Sequence, residues 1–450
     1  MGRAFAPSSG APAVGRQSRF LLLVTSLVVC ASACTRSEGS PQAAPSSPST
    51  APSPIVTTPS PIPAPSPTPP PLGKPRHDIK GYLHTDGPLL VDEQNHPVQL
   101  FTMQINGMQK GSGTPDTVGQ PYRGCFGYKV LGSEAYGLVS SWGFNSIRLQ
   151  ITWANLEATP PTTGKDGKLD HHYNQAYVQA IDDVVNGFAK KGIATILEMN
   201  QVRWSPAFHQ IPLPSGGKLC GTGMPTWLYP PSLSLNDIVQ VEKDFFAGKD
   251  GVKGMFIDAW EYLAKRYRKN HLVIGADMLN EPYDILVTSY PNGTDERPDD
   301  LDLKGFYEKV GSAIRKINPN WLLIFEENRS KRTLKWSVTG KPDLPNVVMS
   351  AHWYPTEWKS DEGLDRLERY VDRAGEWDVP LWIGEFNAFR YTSGRSDELL
   401  SWAGDLKKFL AYAKKNHVGW TITSYGSGQI QEIGSTQVKP EIIDILRAGM

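Results

Sequence analysis

Short apolar runs alternate with longer amphipathic segments along the chain from about residue 99 onward. The runs are too short for helices, whereas the segments between them carry apolar residues at the three- and four-residue spacing of a helix. Strands are therefore predicted over 99–105, 146–150, 194–199, 273–279, 321–325, 347–351, 381–383 and 419–423. Helices are predicted over 134–142, 174–191, 252–268, 303–317, 330–338, 363–374 and 396–415.

This alternation predicts an α/β fold in which eight strands and their helices form a (β/α)₈ TIM barrel. The competing architecture is an open doubly wound sheet, which normally carries a glycine-rich phosphate turn after an early strand. No G-x-G-x-x-G motif follows an early strand here. The segment 87–100 is predicted to form two short strands around the polar turn Asp92 to Asn95, a hairpin that would close the bottom of the barrel.

Composition divides the 450-residue chain into three parts. Residues 42–75 consist almost entirely of Pro, Ser, Thr and Ala, which cannot bury apolar surface, so this stretch is predicted to be disordered. We therefore assign 1–34 as an export signal, 35–75 as a disordered Pro/Ser/Thr-rich linker and 76–450 as the barrel. The overall hydrophobic fraction of 39% is ample for a large core.

The N-terminal segment has the features of an export signal. Arg3, Arg16 and Arg19 precede an apolar stretch over 20–33 that is too short to span a bilayer comfortably. Small residues before Cys34 fit either ordinary signal cleavage or a lipoprotein signal in which Cys34 carries the lipid. We therefore expect an extracellular or cell-surface protein, with a membrane tether if Cys34 is lipidated.

Two cysteines, Cys125 and Cys220, remain in the globular part and lie in glycine-rich loops. In an oxidising compartment they are candidates for one disulfide, and the alternative is two buried free thiols. They lack the C-x-x-C spacing of a zinc site, so no structural metal is predicted.

The charge balance limits the partners that the chain can bind. The formal net charge is +0, and the globular part contains no dense run of Lys and Arg. Nucleic acid is disfavoured as a partner because neutralising its phosphates requires clustered positive charge. We expect a monomer that binds an uncharged carbohydrate.

Polar residues follow the predicted strands, where the side chains of a barrel converge on one face. Glu281 and Glu385 each end a short apolar run, and two acids at one rim could cleave a glycosidic bond between them. The other residues at these positions are Arg148, Asn200, Asn280, His352, Tyr354 and Thr423. This set offers two acids, one fixed cation and several hydrogen-bonding groups, which suits sugar chemistry.

Four motifs in this order resemble glycoside hydrolase family 5, the cellulase-like retaining barrels, from about Gly81 to the C-terminus. They are Gly143-Phe-Asn-Ser-Ile-Arg148, Leu279-Asn-Glu-Pro282, Ala351-His-Trp-Tyr354 and Ile383-Gly-Glu385-Phe. The resemblance implies that Glu281 is the general acid/base and Glu385 the nucleophile. It also implies that Arg148 and Tyr354 hold Glu385 ionised and oriented.

The resemblance further implies that Asn280 binds the sugar 2-hydroxyl and that His352 lies beside the acid/base or the substrate. Each residue also has a structural interpretation. Glu281 could cap a helix, Glu385 could pair with Arg148 for stability alone, and His352 could be a core histidine. His171, His172 and His209 lack such motifs and are predicted to be surface or loop residues.

Two positions depart from the family pattern. Asn200 replaces the usual His on the third strand, and Thr423 stands where the usual Trp platform would be. Sugar stacking could instead come from aromatic side chains in upper loops, although core packing is the alternative for each. We expect substrate contacts at Trp153 and Trp204, and the further candidates are Trp227, Trp353, Trp358 and Tyr425. The loop over 201–243 also resembles the endoglycoceramidase-like branch of the family, without assigning a glycolipid substrate.

The leading hypothesis is an exported retaining β-glycoside hydrolase without cofactor or metal, acting on a β-linked glucan, mannan or glycoconjugate. One alternative is a catalytically silent carbohydrate-binding barrel, suggested by the loss of the family's His and Trp. The two carboxylates, with Arg148 and Tyr354, argue against it. The other alternative is a transglycosylase, which shares the chemistry and differs in the acceptor.

Overall fold

The computed structural model describes residues 79–110, 128–202, 204–208, 211–212, 218–219, 221–229, 237–282, 302–327, 340–354, 363–387, 396–426, 430 and 438–450. Several sequence predictions lie outside these residues and stay predictions. They are the export signal with Cys34, the linker, the Cys125–Cys220 disulfide, the positions of His209 and Trp358, and the helix over 330–338.

The described strands, in chain order, are β1 His84–Asp86, β2 Leu89–Val91, β3 Phe101–Ile105, β4 Ser146–Ile151, β5 Thr162–Thr163, β6 Leu169–Asp170, β7 Ala194–Met199, β8 Ile211–Pro212, β9 Lys218–Leu219, β10 Val273–Asp277, β11 Leu322–Glu326, β12 Val347–His352, β13 Leu381–Phe386 and β14 Gly419–Ile422. Eight of them close a barrel in the order β3, β4, β7, β10, β11, β12, β13 and β14. All neighbours are parallel, and β14 pairs with β3 to complete the ring. The predicted (β/α)₈ TIM barrel is confirmed.

The α-helices of the described residues are Glu134–Ser141, Trp153–Leu156, Gln175–Ala189, Ile238–Ala247, Val252–Tyr267, Leu303–Ile317, Gly363–Glu376, Ser396–Lys415 and Pro440–Gly449. Short 3-10 helices cover Pro206–Phe208, Thr226–Leu228 and Lys249–Gly251. Within these described segments, no helix has the length and apolar character needed to cross a membrane.

The helix Leu303–Ile317 shows why these segments fold as helices. The Asp302 side chain accepts a hydrogen bond from the Gly305 N–H at 2.8 Å and thereby caps the first turn. Phe306, Val310 and Ile314 are buried and recur every four residues along one face. This is the three- and four-residue spacing that the sequence pattern indicated.

The N-terminal hairpin differs in register from the prediction. Its strands β1 and β2 flank the turn Gly87-Pro88, where Gly87 has a positive φ of 55° that glycine adopts without strain. The predicted turn after Asp92 also exists, but it supports only an isolated bridge between Val91 and Pro97. On either side of this bridge, the Asp92 N–H donates to the His96 carbonyl at 3.0 Å and the Val98 N–H donates to the Leu90 carbonyl at 2.8 Å.

The interior of the barrel has an apolar lower layer and a polar upper layer. The N-terminal segment closes the bottom, as predicted, and packs against the first inward side chains of the strands. This cluster comprises Leu83, Leu90, Val98, Leu100, Ala194, Ile196, Ile274, Leu322, Ile324, Val348 and Trp382. Above it, the buried side chains nearer the carboxyl ends of the strands are polar, namely Gln104, Arg148, Glu198, Asp277, Glu326, His352 and Glu385.

Candidate active site

Arg148 projects from β4 into the centre of the barrel and is fully buried. Its Nη1 donates to Glu385 Oε1 at 2.6 Å, and its Nε donates to Asp277 Oδ2 at 2.8 Å. Its Nη2 lies 3.0 Å from Glu326 Oε1, and Nη1 lies 3.3 Å from Glu198 Oε2. One guanidinium therefore contacts carboxyl groups from four other strands.

Glu385 reaches the inner face through a β-bulge in β13. The register with β12 runs from Ala351 opposite Ile383 to His352 opposite Glu385, so Gly384 is left unpaired. A Cβ at position 384 would lie 2.5 Å from Ser350 Oγ, which only glycine avoids. Because strand side chains alternate between faces, this extra residue turns Glu385 toward the barrel axis.

Both carboxylate oxygens of Glu385 accept hydrogen bonds. Oε1 accepts from Arg148, and Oε2 accepts from the Tyr354 hydroxyl. Burial by itself raises the pKa of Glu385, but the positive charges of His352 and Arg148 outweigh burial and lower the pKa below its usual value. Glu385 is therefore held ionised and oriented.

Glu281 follows β10 with its backbone in the left-handed region, at a φ of 39°. Its N–H donates to Glu326 Oε2 at 2.6 Å, and its carbonyl accepts from the Gln201 side-chain amide. The Glu281 carboxyl lies 2.7 Å from His352 Nδ1 and is 18% exposed, so one side of it faces solvent.

The pKa of Glu281 moves in the opposite direction from that of Glu385. Burial raises the pKa of Glu281, and the charges of Glu385 and Glu326 add to this effect. His352 opposes them through its hydrogen bond and its charge, and the net result is a raised pKa. Two neighbouring carboxyls with opposite shifts are the arrangement that assigns one acid and one nucleophile or base.

The two catalytic candidates lie close together. One ligand atom from each of Glu281, His352 and Glu385 lies within 4.8 Å of the others. Retaining glycosidases hold their carboxyls about 5 to 5.5 Å apart, whereas inverting enzymes need roughly 6.5 to 9.5 Å. The observed spacing fits the retaining geometry.

The same three side chains have the spacing of a metal site, but their hydrogen bonds do not fit one. Both oxygens of Glu385 already accept from Arg148 and Tyr354. A cation bound to Glu385 would also lie close to the positively charged Arg148 guanidinium, which would repel it. The donor set therefore suits an organic substrate better than a metal ion.

Two further acids, Glu198 and Asp277, lie on either side of Arg148 and are fully buried. Burial raises the pKa of Glu198 to about 8 and that of Asp277 to about 7, although Arg148 opposes both shifts. The Asn200 amide donates to Glu198 Oε1 at 2.8 Å. At neutral pH these groups hold protons for part of the time, which limits the negative charge around the single guanidinium.

Replacing Glu198 by Gln is expected to flatten the dependence of stability on pH. The folded state keeps a proton on Glu198 up to about pH 8, whereas the unfolded state loses it near pH 4.5, as an ordinary glutamate does. The free energy of unfolding of the wild type should therefore fall as the pH rises between these values, with Glu198 contributing up to about 1.4 kcal/mol per pH unit. Urea unfolding at pH 5, 6.5 and 8 measures this slope, and an unchanged slope in the variant would refute the assignment.

The side-chain amides of Asn280 and Asn200, which were predicted to bind substrate, form hydrogen bonds with other groups of the protein. Asn280 Oδ1 accepts from Arg148 Nη2 at 3.1 Å, and Asn280 Nδ2 donates to the Gln201 carbonyl at 3.1 Å. Asn200 accepts from Thr222 Oγ1 at 2.7 Å in addition to its bond with Glu198. Direct sugar contacts at Asn280 and Asn200 stay predictions.

The predicted stacking roles of Trp153 and Trp204 are wrong, because both rings are 0% exposed. Trp153 donates its indole N–H to Glu157 Oε2 at 2.9 Å. Trp204 packs against Phe245 and Phe246 with ring centroids 5.3 and 5.6 Å away. These upper-loop aromatics fold back onto the core, and a ring without exposed surface offers no face to a pyranose.

Among the other aromatic candidates, Trp353 is also buried and packs on Phe409 at 4.9 Å. Trp227 and Tyr425 are partly exposed and remain candidates for a sugar platform. His171 lies in a loop, as predicted, between the carboxylates of Glu157 and Asp258. His172 is exposed in the same loop.

Sequence reasoning missed the buried acids Glu198 and Asp277, and it also missed Glu326, at the end of β11. Its two oxygens face the backbone of Glu281 and the side chains of Arg148 and His352. Glu326 follows the apolar run Leu322 to Phe325, which is the same signal that identified Glu281 and Glu385. The pattern was therefore present a third time.

Comparison with known proteins agrees with this geometry. The family model for cellulase, glycosyl hydrolase family 5, matches residues 91–429. An endoglucanase of Paenibacillus polymyxa is 26% identical over 348 residues, covering 70% of this chain and 74% of that protein. An endoglycoceramidase of Cyanea nozakii is 27% identical over 337 residues, covering 64% of this chain and only 60% of that protein.

Among solved structures, the fold is similar to the crystal structure of an endogalactoceramidase, with a TM-score of 0.60 at 20% identity over 82% of this chain and 84% of that chain. At this identity the structural similarity supports the fold alone. The family match covers most of the chain and confirms the resemblance and the enzyme class predicted from the sequence. The chain belongs to glycosyl hydrolase family 5, the cellulase family of retaining O-glycosyl hydrolases.

Proposed function

We propose that this protein cleaves β-linked glycosides with retention of configuration, using Glu385 as the nucleophile and Glu281 as the general acid/base. The close approach of these two carboxyls, within 4.8 Å, is the observation that supports the proposal most strongly. Their opposite pKa shifts add to it, because one group is kept ionised and the other protonated.

In the first step, a Glu385 oxygen attacks the anomeric carbon and the glycosidic C–O bond breaks. Glu281 gives its proton to the departing oxygen, which leaves as an alcohol. The product is a covalent glycosyl-enzyme in which Glu385 no longer carries a negative charge. Arg148 and Tyr354 hold the attacking carboxylate in place through hydrogen bonds to its two oxygens.

In the second step, the ionised Glu281 takes a proton from water, and the resulting nucleophile displaces Glu385 from the sugar. Loss of the Glu385 charge lowers the pKa of Glu281, since that charge is one of the causes that raise it. The same residue can therefore act as acid and then as base. A sugar acceptor in place of water would give transglycosylation by the same chemistry.

The proposed substrate is a β-linked glucan, mannan or glycoconjugate. Similarity to an endoglucanase supports a glucan, and similarity to endoglycoceramidases of Cyanea nozakii and Hydra vulgaris supports a glycoconjugate. Because Thr423 occupies the family's Trp position, sugar stacking at this strand end differs from that of ordinary cellulases. Trp227 and Tyr425 are the partly exposed rings available for it.

A panel of substrates tests the proposal with the 76–450 fragment. It contains cello-oligosaccharides, manno-oligosaccharides, aryl β-glycosides and a β-glycosylceramide in detergent, each with and without an added sugar acceptor. Turnover by the wild type that collapses in Glu281→Gln and Glu385→Gln supports the proposal. Saturable glycan binding that neither substitution changes, without turnover, would instead favour a silent carbohydrate-binding barrel, and acceptor products in place of hydrolysis would favour a transglycosylase.

The kcat/KM of the wild type is expected to follow a bell-shaped pH profile. The acidic limit lies below the usual range of a glutamate, because Glu385 must be ionised and its pKa is lowered. The alkaline limit lies above that range, because Glu281 must be protonated and its pKa is raised. Initial rates with the best panel substrate between pH 3 and pH 9 measure both limits, and a single ionisation would contradict the assignment.

We also propose that the protein is exported and acts as a monomer at the cell surface. The basic and apolar N-terminal segment supports export, and Cys34 followed by the linker supports a lipid tether. Metabolic labelling with a fatty-acid analogue tests the tether. Label on the wild type that is lost in Cys34→Ser supports it, and an unlabelled secreted wild type would exclude it.

A further inference from the structure

Glu326 is a buried carboxyl group to which neither the family pattern nor the proposed mechanism gives a role. It ends β11 and is 0% exposed. Its Oε2 accepts the Glu281 N–H at 2.6 Å. Its Oε1 accepts from Arg148 Nη2 at 3.0 Å and lies 3.2 Å from His352 Nε2.

Each of these partners controls one part of the catalytic pair. The Glu281 N–H belongs to the residue that carries the acid proton. His352 lies 2.7 Å from the Glu281 carboxyl through its Nδ1, so Glu326 and Glu281 contact opposite nitrogens of one imidazole. Arg148 donates to Glu385 through its other terminal nitrogen. Glu326 therefore contacts the Glu281 backbone directly and reaches Glu385 through Arg148, while His352 lies near both catalytic carboxyls.

The backbone of Glu281 explains why such a contact matters. Its φ of 39° lies in the left-handed region, which is strained for a non-glycine residue and persists only when surrounding contacts hold it. The hydrogen bond from its N–H to Glu326 and the bond from Gln201 to its carbonyl supply such contacts. Without the first, the Glu281 side chain could leave its position beside Glu385.

We propose that Glu326 is a positioning residue for glycoside cleavage, which fixes the Glu281 backbone and keeps His352 and Arg148 oriented toward the two catalytic carboxyls. This inference rests on the proposed function. It adds a residue from the fifth barrel strand to a site that the sequence motifs draw from the second, fourth, sixth and seventh strands.

The charge of Glu326 has a consequence that packing alone would not have. It is one of the causes that raise the pKa of His352 and the pKa of Glu281. Removing this negative charge lowers the pKa at which the coupled Glu281–His352 pair loses its first proton. The alkaline limit of activity therefore moves to lower pH. Among the residues that the structure describes, Arg148, Asp277 and Tyr307 also interact with Glu326, and Glu385 acts on the same His352 imidazole.

The test compares Glu326→Gln, Glu326→Asp and the matched control Glu157→Gln. Glu157 is an equally buried glutamate that bonds Trp153 and His171 instead of the catalytic pair. Glu326→Gln is expected to lower kcat by about 10²-fold, the order expected for a small misplacement of catalytic groups, with little change in KM. Its alkaline limit should move to lower pH, whereas Glu326→Asp should keep the limit near that of the wild type.

Glu157→Gln should keep the wild-type alkaline limit, whatever it does to the melting temperature. A folded Glu326→Gln with wild-type kcat and pH profile would overturn the proposal. So would a loss of activity that is equal at every pH and follows the loss of folded protein. A wild type that hydrolyses none of the panel glycosides would count against the proposed function itself, so the two failures are distinguishable.

Discussion

Glu385→Gln is expected to lower kcat by roughly 10⁴-fold or more on every β-glycoside that the wild type cleaves. The amide keeps the size of the carboxyl but cannot attack the anomeric carbon as an anion. It also loses the charge that Arg148 and His352 stabilise. Initial rates at the optimal pH of the wild type measure the loss.

The fold should survive this substitution, because Arg148 keeps its contacts with Asp277, Glu326 and Glu198. The melting temperature and near-UV circular dichroism of Glu385→Gln check this point. Glu157→Gln is again the matched control for loss of a buried carboxyl, and it should retain activity. A folded Glu385→Gln that keeps more than a tenth of the wild-type rate would rule out Glu385 as the nucleophile.

The second large effect is expected at Glu281, and its size should depend on the leaving group. Glu281→Gln cannot donate a proton, so cleavage of natural glycosides and of unactivated aryl glycosides should fall by about 10²- to 10⁴-fold. A dinitrophenyl β-glycoside needs no protonation to depart, so formation of the glycosyl-enzyme should be much less affected. Burst kinetics with dinitrophenyl and phenyl glycosides separate the two cases.

Hydrolysis of the glycosyl-enzyme should then limit turnover of the dinitrophenyl glycoside, because Glu281→Gln also lacks the general base that takes a proton from water. Azide, which attacks without a base, should accelerate turnover and give a β-glycosyl azide. If Glu281→Gln loses the same factor on both leaving groups and azide has no effect, Glu281 is not the acid/base. His172→Gln, in an exposed loop, provides a control without these effects.

Much of the barrel could be predicted because parallel strands that are buried on both faces appear in the sequence as short apolar runs, separated by amphipathic helical segments. The predicted strand 194–199 and helix 303–317 agree with Ala194–Met199 and Leu303–Ile317. Strand ends also predicted the site, since the carboxyl ends of barrel strands share one face. Glu281, Glu385, Arg148, His352 and Tyr354 are brought together as the motifs indicated.

The rest depended on contacts between distant parts of the chain. The strand predicted over 381–383 continues to Phe386. The bulge at Gly384 keeps β13 paired with β12 although the alternation of inward and outward side chains is interrupted there. Trp153 and Trp204 carry no sequence signal that separates a ring facing a sugar from one facing the core. Glu326 also follows an apolar run, but only the fold shows that it faces both Glu281 and Arg148.

The most direct test of the catalytic assignment is to trap the glycosyl-enzyme. The wild type is incubated with a 2-deoxy-2-fluoro glycosyl fluoride of the sugar that the substrate panel identifies, and the intact mass and the labelled peptide are measured. We predict one added glycosyl group, attached to Glu385 and absent from Glu385→Gln. A label on another residue, or a product of inverted configuration without any trapped intermediate, would contradict retaining catalysis by Glu385.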